Sequence, residues 1–137
     1  MKAPPSLLRL ASGKGAAARL HEWLDEALAS EPMSERMAYA IRLCLEEAIT
    51  NVMMHGYGPE GGPIEVALWR EPDGFEARVV DEAKPFDPTT PPPPPPRNTI
   101  EAGPLGGRGL VFMHRFASGM GYRRVNGRNE LALRFVG

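Results

Sequence analysis

Proline constrains the folding of this chain more than any other residue type, because nine of its fifteen prolines lie between Pro85 and Pro104. Six of them form an unbroken run from Pro91 to Pro96. Each proline restricts φ and removes a backbone donor, so the run excludes an α-helix and a central strand. We therefore expect a long loop over residues 84–106 with a polyproline II centre. Loops longer than about 12–15 residues inside a compact domain are usually functional lids or disordered inserts. Because this one lies between two predicted elements, we interpret it as a lid. A ligand for an SH3-like partner is the alternative.

The remaining composition is that of one soluble domain, and we treat residues 1–137 as a single unit. The chain contains no apolar run near the ~20 residues that a membrane helix requires. No apolar signal segment follows the first residues, which predicts a cytoplasmic location. A single cysteine, Cys44, excludes an internal disulfide, and the three histidines lack metal-ligand spacing. A bound metal would therefore be held by oxygen atoms.

The charges are nearly balanced, and a net charge of -1 argues against indiscriminate nucleic-acid binding. Residues 21–60 nevertheless carry eight acidic residues and two arginines, whereas residues 108–137 carry six arginines and one acidic residue. Two solvated surfaces of opposite sign are the simpler interpretation, and docking of partners with matching fields is the other. Thirteen arginines against three lysines are typical of a GC-rich bacterial genome.

Hydrophobic periodicity predicts the order strand, helix, helix, two strands, lid, helix, two strands. Ser12 is the candidate cap of the first helix, and the second begins near Met33 or Ser34. Asn126-Gly127 is a strong hairpin signal between the last two strands. Strands in pairs with helices on one face indicate an α+β two-layer sandwich. The predicted strands are 7–10, 64–70, 75–80, 120–125 and 130–136, and the predicted helices are 16–29, 33–55 and 109–117.

Polar residues recur on one face of the second predicted helix, within an otherwise apolar stretch. Glu47 and Asn51 are four residues apart, so their side chains leave the same face, and His55 extends the row by one turn. A carboxylate beside an amide oxygen suits Mg²⁺, which prefers hard oxygen ligands and takes others from water and phosphate. Taken alone, the pair has a simpler explanation in solvation or a hydrogen bond to a neighbouring loop.

Two further segments have features of a ligand site. Asp81 ends a predicted strand, where an acid can cap a turn or accept a hydrogen bond from an exocyclic amine. Gly106-Gly107-Arg108-Gly109 precedes the third helix, where glycines let backbone N–H groups approach an anion at the helix N-terminus. The chain contains neither a Walker A loop nor a Gly-x-Gly-x-x-Gly motif after a strand.

In their order along the chain, these motifs resemble the GHKL, or Bergerat-fold, ATPase domain of gyrase and histidine kinases. Within that superfamily the chain is most similar to the small anti-sigma-factor serine/threonine kinases of bacteria. The resemblance covers about residues 35–137 and implies a histidine-kinase-like ATPase with a mixed, mostly antiparallel sheet. The motifs are Glu47-Ala48-Ile49-Thr50-Asn51, His55-Gly56-Tyr57, Asp81-Glu82-Ala83-Lys84-Pro85-Phe86 and Gly107-Arg108-Gly109-Leu110.

The resemblance implies ATP and Mg²⁺ as cofactors and assigns roles to the motifs. Asn51 would coordinate Mg²⁺, Glu47 would take the proton of an attacking serine hydroxyl, and Asp81 would bind the adenine amine. The glycine-rich backbone would hold the phosphates, and residues 84–106 would form the ATP lid. The other positions implied to bind the nucleotide are His55, Ala83, Phe86, Gly107, Arg108, Gly109 and Leu110.

The implied partners are a STAS-type anti-anti-sigma protein, which would be phosphorylated, and a sigma factor or similar regulator, which would be sequestered. The resemblance also implies a homodimer that contacts neither nucleic acid directly nor a membrane.

Two positions depart from the family pattern. Ala83 stands where the first glycine box normally has glycine, and Gly127-Arg128-Asn129 stands where the family often has Gly-Thr. Ala83 motivates an alternative function, a nucleotide-sensing binding module without kinase activity. A third hypothesis is a domain detached from a histidine kinase, although residues 1–137 contain no dimerisation helix with a phosphoacceptor histidine.

Overall fold

The structure, a computed structural model, describes residues 5–90 and 108–137, with side chains for 5–90 and 110–137. Most of the predicted lid, from Pro91 to Gly106, therefore lies outside the described residues. None of the described helices has the length and apolarity that a membrane span requires. The elements are β1 Ser6–Ala11, α1 Ala16–Leu28, α2 Glu35–Asn51, β2 Pro63–Glu71, β3 Gly74–Asp81, α3 Arg108–Phe116, β4 Gly119–Val125 and β5 Arg128–Val136.

The strands form one five-stranded sheet in the order β1-β2-β3-β5-β4. Neighbouring strands of the described sheet are all antiparallel, so the expected mixed sheet is wrong in that detail. Two hairpins, β2–β3 and β4–β5, account for half of these pairings, because a short turn reverses the chain direction. The α+β two-layer class is confirmed. Since β5 lies beside β3, Asp81 at the end of β3 pairs with Asn129 near the start of β5.

The core lies between one face of the sheet and the helices. Leu20 and Leu24 of α1 and Ile41, Leu45 and Ile49 of α2 have no exposed surface. They follow the helical period that the sequence shows, and each such side chain contributes about 1.5–3 kcal/mol of burial free energy. This packing holds the carboxyl-terminal end of α2 against the middle of the sheet.

The two predicted helix caps have different outcomes. Ser34 caps α2, since its Oγ accepts a hydrogen bond from the Met37 N–H at 3.1 Å. Ser12 does not cap α1, which begins after Gly15 and has no side-chain cap. Ser12 Oγ instead accepts a hydrogen bond from the Gly62 N–H at 2.9 Å, and the Ser12 N–H donates to the Gly62 carbonyl at 2.9 Å. The prediction for Ser12 is wrong because this long-range pair, which local spacing does not reveal, occupies its side chain.

Candidate functional site

A cavity of about 400 Å³, including space open to solvent, lies among α2, β3, β5 and α3. Most of its described lining is apolar, which together with a few polar groups is the usual character of a small-molecule site. The polar side chains that line it are Asn51, Asp81, Lys84, Tyr122 and Asn129.

Asn51 is the last residue of α2 and is followed by a π-helical turn over Val52–Gly56. Only 6% of its surface is exposed, and its Nδ2 has no hydrogen-bond partner among the described residues. A buried donor without a partner costs about 1–3 kcal/mol, so its presence on a cavity wall indicates a ligand position. The π-turn supports this interpretation, because such turns occur frequently at functional sites.

Glu47 lies one turn before Asn51 on α2 and is half-buried. Burial raises the pKa of the Glu47 carboxyl above the ordinary value of 4.5, and the charge of Glu46 raises it further. Among the described residues, Glu47 is not part of the cavity lining. A carboxylate with a raised pKa thus shares a helix face with Asn51, as predicted from their spacing.

Asp81 brings a buried carboxylate to the cavity and is 5% exposed. Its Oδ1 accepts hydrogen bonds from the Ala83 N–H at 2.9 Å and from Asn129 Nδ2 at 2.8 Å. Both hydrogen bonds from these described residues go to the same oxygen. The arrangement leaves Oδ2 to accept a hydrogen bond from a ligand.

The methyl group of Ala83 is buried against Gly56. A Cβ atom placed on Gly56 would lie only 2.7 Å from the Ala83 Cβ, so one side chain occupies the space between these positions. The described residues that line the cavity do not include Ala83. The methyl group that departs from the family pattern therefore fills a gap beside Gly56.

The first residues after β3 extend along the cavity between the π-turn and α3. The ring of Phe86, which lines the cavity, stacks on the ring of His55 with centroids 5.9 Å apart. His114 Nε2 donates a hydrogen bond to the Pro88 carbonyl at 2.9 Å. These contacts place the described beginning of the predicted lid at the cavity wall.

Tyr57, the residue that follows Gly56, joins the loop before β2 to the end of β3. Its hydroxyl donates to the Pro63 carbonyl at 2.6 Å and accepts from the Glu82 N–H at 2.8 Å. Burial is the main cause of the raised pKa of Tyr57. The His-Gly-Tyr motif thus supports the site through packing and hydrogen bonds.

The glycine-rich segment is described only in part. α3 begins at Arg108, whereas Gly107 and the side chain of Arg108 lie outside the described residues. Leu110 is half-buried and packs against the core. The predicted phosphate contacts of this segment stay predictions.

The sequence motifs give no role to Tyr122, Arg124 and Asn129, which form hydrogen bonds around Asp81 and the residues that follow it. Lys84 appears in them only as part of the motif after Asp81, and Asn129 only as a departure from the family pattern. The signal that would have found it is the β3–β5 register, which pairs it with Asp81.

The comparison with protein families decides the identity of the fold. The model of the histidine kinase-like ATPase domain matches residues 10–135, which include every element around the cavity. The chain belongs to this family. The match confirms the predicted membership of the histidine-kinase-like ATPase family.

The chain is also similar to one curated protein and to one solved structure. The serine/threonine-protein kinase BtrW of Bordetella bronchiseptica is 27% identical over 113 residues, which are 81% of this chain and 79% of BtrW. A crystal structure of the RsbU and RsbW domains of a Mycobacterium tuberculosis protein matches with a TM-score of 0.66 and 23% identity. That match covers 98% of this chain and 35% of the other, and it shows the shared fold.

Proposed function

We propose that this chain is an ATP-dependent serine/threonine protein kinase of the anti-sigma-factor type. Family membership supports ATP binding. The observation that carries the proposal is that the buried, unpartnered amide of Asn51 and the carboxylate of Asp81 line the same cavity. The amide of Asn51 suits a metal-bound phosphate group, and the carboxylate of Asp81 suits the exocyclic amine of a nucleobase.

The residues present fit magnesium. The amide oxygen of Asn51 is a hard ligand, and Mg²⁺ usually takes only one or two protein ligands and completes its shell with water and phosphate. Among the described residues, no three histidine, cysteine, aspartate or glutamate side chains are arranged so that they could hold a metal ion together. Asn51 would hold the ion through Oδ1 while its Nδ2 donates to a phosphate oxygen.

The residues around Asp81 fit adenine. Its Oδ2, which accepts no hydrogen bond from the described residues, can accept one from the 6-amino group. Val79, Met113 and Leu131 provide apolar walls for the ring. A site that hydrogen-bonds a particular group discriminates strongly against analogues that lack it.

Glu47 is the proposed general base. Bound Mg²⁺-ATP supplies the phosphoryl group and the charge neutralisation. Glu47 takes the proton of a serine or threonine hydroxyl, and its raised pKa moves the carboxylate toward the working pH. Phosphoryl transfer depends mainly on positioning and electrostatics, so a small set of side chains is sufficient.

The proposed phosphoryl acceptor is a STAS-type protein, and the proposed sequestered partner is a sigma factor or similar regulator. We propose that the chain binds both partners as a homodimer in the cytoplasm. BtrW, named a serine/threonine-protein kinase, supports kinase activity. The alternative, a binding module without catalysis, was motivated by Ala83. Its methyl group packs against Gly56, so it offers no steric reason for loss of activity.

Calorimetric titration with Mg²⁺-ATP, followed by transfer of radiolabel to a STAS-domain protein of the same genome, tests the proposal. We expect binding and label on serine or threonine. Glu47→Gln should lower the transfer rate by about 10²–10⁴-fold while ATP still binds. Glu46→Gln is the matched control and should retain transfer at its optimal pH. Binding without transfer would favour the sensing module, and no heat at millimolar nucleotide would refute the site itself.

A further inference from the structure

The side chain of Asn129 lines the cavity and contacts both the end of β3 and the first residues after it. It is 5% exposed. Its Nδ2 donates to Asp81 Oδ1 at 2.8 Å and to the Lys84 carbonyl at 3.0 Å, with the Ala83 carbonyl at 3.4 Å. One amide therefore joins the proposed base-reading carboxylate to the first residues after β3.

The neighbours of Asn129 determine which way its amide points. Its Oδ1 accepts hydrogen bonds from the Tyr122 hydroxyl at 2.6 Å and from the Arg124 guanidinium at 3.1 Å. A flipped amide would turn its oxygen toward a carboxylate and two carbonyls, none of which can donate. Only the observed orientation lets every atom of the amide find a complementary partner.

Arg124 reinforces the same connection. Its guanidinium donates to the Ala83 carbonyl at 2.6 Å, besides its contact with Asn129. The β4–β5 hairpin therefore holds the backbone immediately after Asp81 at two carbonyls, those of Ala83 and Lys84. Asp81 in turn receives two N–H donors on Oδ1, which hold its carboxylate in one orientation.

We propose that Asn129 is a positioning residue for nucleobase selection, which orients Asp81 toward a 6-amino purine and couples that carboxylate to the backbone of residues 82–90, the described segment that follows β3. The proposal rests on the proposed function, since it requires a nucleotide in this cavity. Asn129 itself does not select the base. It acts through Asp81, so its loss should affect only nucleotides whose base donates to that carboxylate.

The test compares ATP with inosine triphosphate, in which an oxo group replaces the 6-amino group of the base. Both are titrated calorimetrically, with Mg²⁺, into the full chain and its variants. Asn129→Ala should weaken ATP about tenfold and leave inosine triphosphate within about twofold, because a hydrogen bond to a charged group is lost only for the amino base. Glu130→Gln is the matched control, since Glu130 follows Asn129 on the opposite face of the sheet and contacts Arg123. It should change neither affinity.

Asn129→Thr provides a second variant that keeps a donor. A hydroxyl has one proton, so it can hold Asp81 or the Lys84 carbonyl but not both. We expect it to recover most of the preference for ATP. Backbone hydrogen exchange of residues 82–90 in ATP-bound Asn129→Thr should be as fast as in ATP-bound Asn129→Ala, and faster than in the ATP-bound unmodified chain.

The outcomes are distinguishable. Equal weakening of both nucleotides by Asn129→Ala, or an unchanged preference for ATP, overturns the positioning role while leaving the proposed function intact. If Asn129→Ala does not fold, Asn129→Thr carries the test alone: a lost preference for ATP in that variant, or exchange of residues 82–90 as slow as in the unmodified chain, counts against the proposal. If the unmodified chain binds neither nucleotide, the proposed function fails and this inference fails with it.

Discussion

Two adjacent carboxylates on α2 give the proposed active site its expected pH dependence. Burial raises the pKa of Glu47 above 4.5, and Glu46 raises it further. A general base must be deprotonated. At saturating ATP the rate of phosphoryl transfer should therefore be low at pH values below this raised pKa and should increase as the pH rises through it. The effect on stability has the opposite sign. A raised folded-state pKa favours the protonated carboxyl, so its contribution is present below the unfolded pKa and lost as pH rises through the folded pKa.

The first prediction concerns the acid limb of the pH–rate profile, which is the pH range in which the rate of transfer rises as Glu47 loses its proton. Glu46→Gln removes the like charge, so the limb of the pH–rate profile should move to lower pH while the plateau rate is unchanged. Steady-state transfer measured across the pH range with the unmodified chain and this variant gives the comparison. An acid limb that stays in place would exclude Glu46 as a cause, and a limb still present in Glu47→Gln would exclude Glu47 as the base.

A second prediction at this scale concerns recognition of the adenine ring by Asp81. Asp81→Asn replaces an acceptor with an amide that also presents donors, so ATP should bind about 10–100-fold more weakly. Inosine triphosphate should lose little affinity or gain some, because its base presents an acceptor at the same position. Calorimetric titration of both nucleotides measures the change. Equal affinity for ATP before and after the substitution would contradict the role of Asp81.

At the scale of elements, the π-turn after α2 and the end of β3 are in contact through Gly56 and Ala83. Gly56→Ala would place two methyl groups 2.7 Å apart, so we expect overpacking to lower the free energy of unfolding by about 1–3 kcal/mol. Ala83→Gly removes the opposing methyl group and should recover part of this loss when the two substitutions are combined. Denaturant unfolding of the single and double variants measures the coupling. Strictly additive losses would show that the contact does not govern the packing here.

The described elements also show which local signals were sufficient. Asn126 and Gly127 have φ of 50° and 78°, as the predicted tight hairpin requires, and Ser34 caps α2. Both features depend on residues within three positions of one another. Ser12 shows where local signals fail. Its hydroxyl accepts a hydrogen bond from Gly62, which is 50 residues further along the chain, and does not cap the helix that follows.

At the scale of the whole molecule, the cavity is built by α2, β3, β5 and α3, so a ligand bound there links elements from both halves of the chain. Mg²⁺-ATP at a hundred times its dissociation constant should stabilise the fold by about 2.7 kcal/mol through mass action. For a chain of this size that corresponds to a rise in Tm of several degrees. Thermal unfolding with and without nucleotide measures it, with Asp81→Asn as the control that should show a smaller rise. An unchanged Tm at millimolar nucleotide would count against the site.

The sequence by itself determined the elements, their order, the two-layer class and the motif residues Glu47, Asn51 and Asp81. Helical and strand periodicity, turn residues and motif spacing are local properties, so they can be read along the chain. Only the tertiary structure decided the partners of Asp81, the packing of Ala83 on Gly56 and the uniformly antiparallel sheet. The contact between Asp81 and Asn129 depends on the register of β5 against β3, which brings together two residues that are 48 positions apart in the chain. Such a register is set by the collective burial of the inward-facing side chains of several elements, and no local pattern contains it.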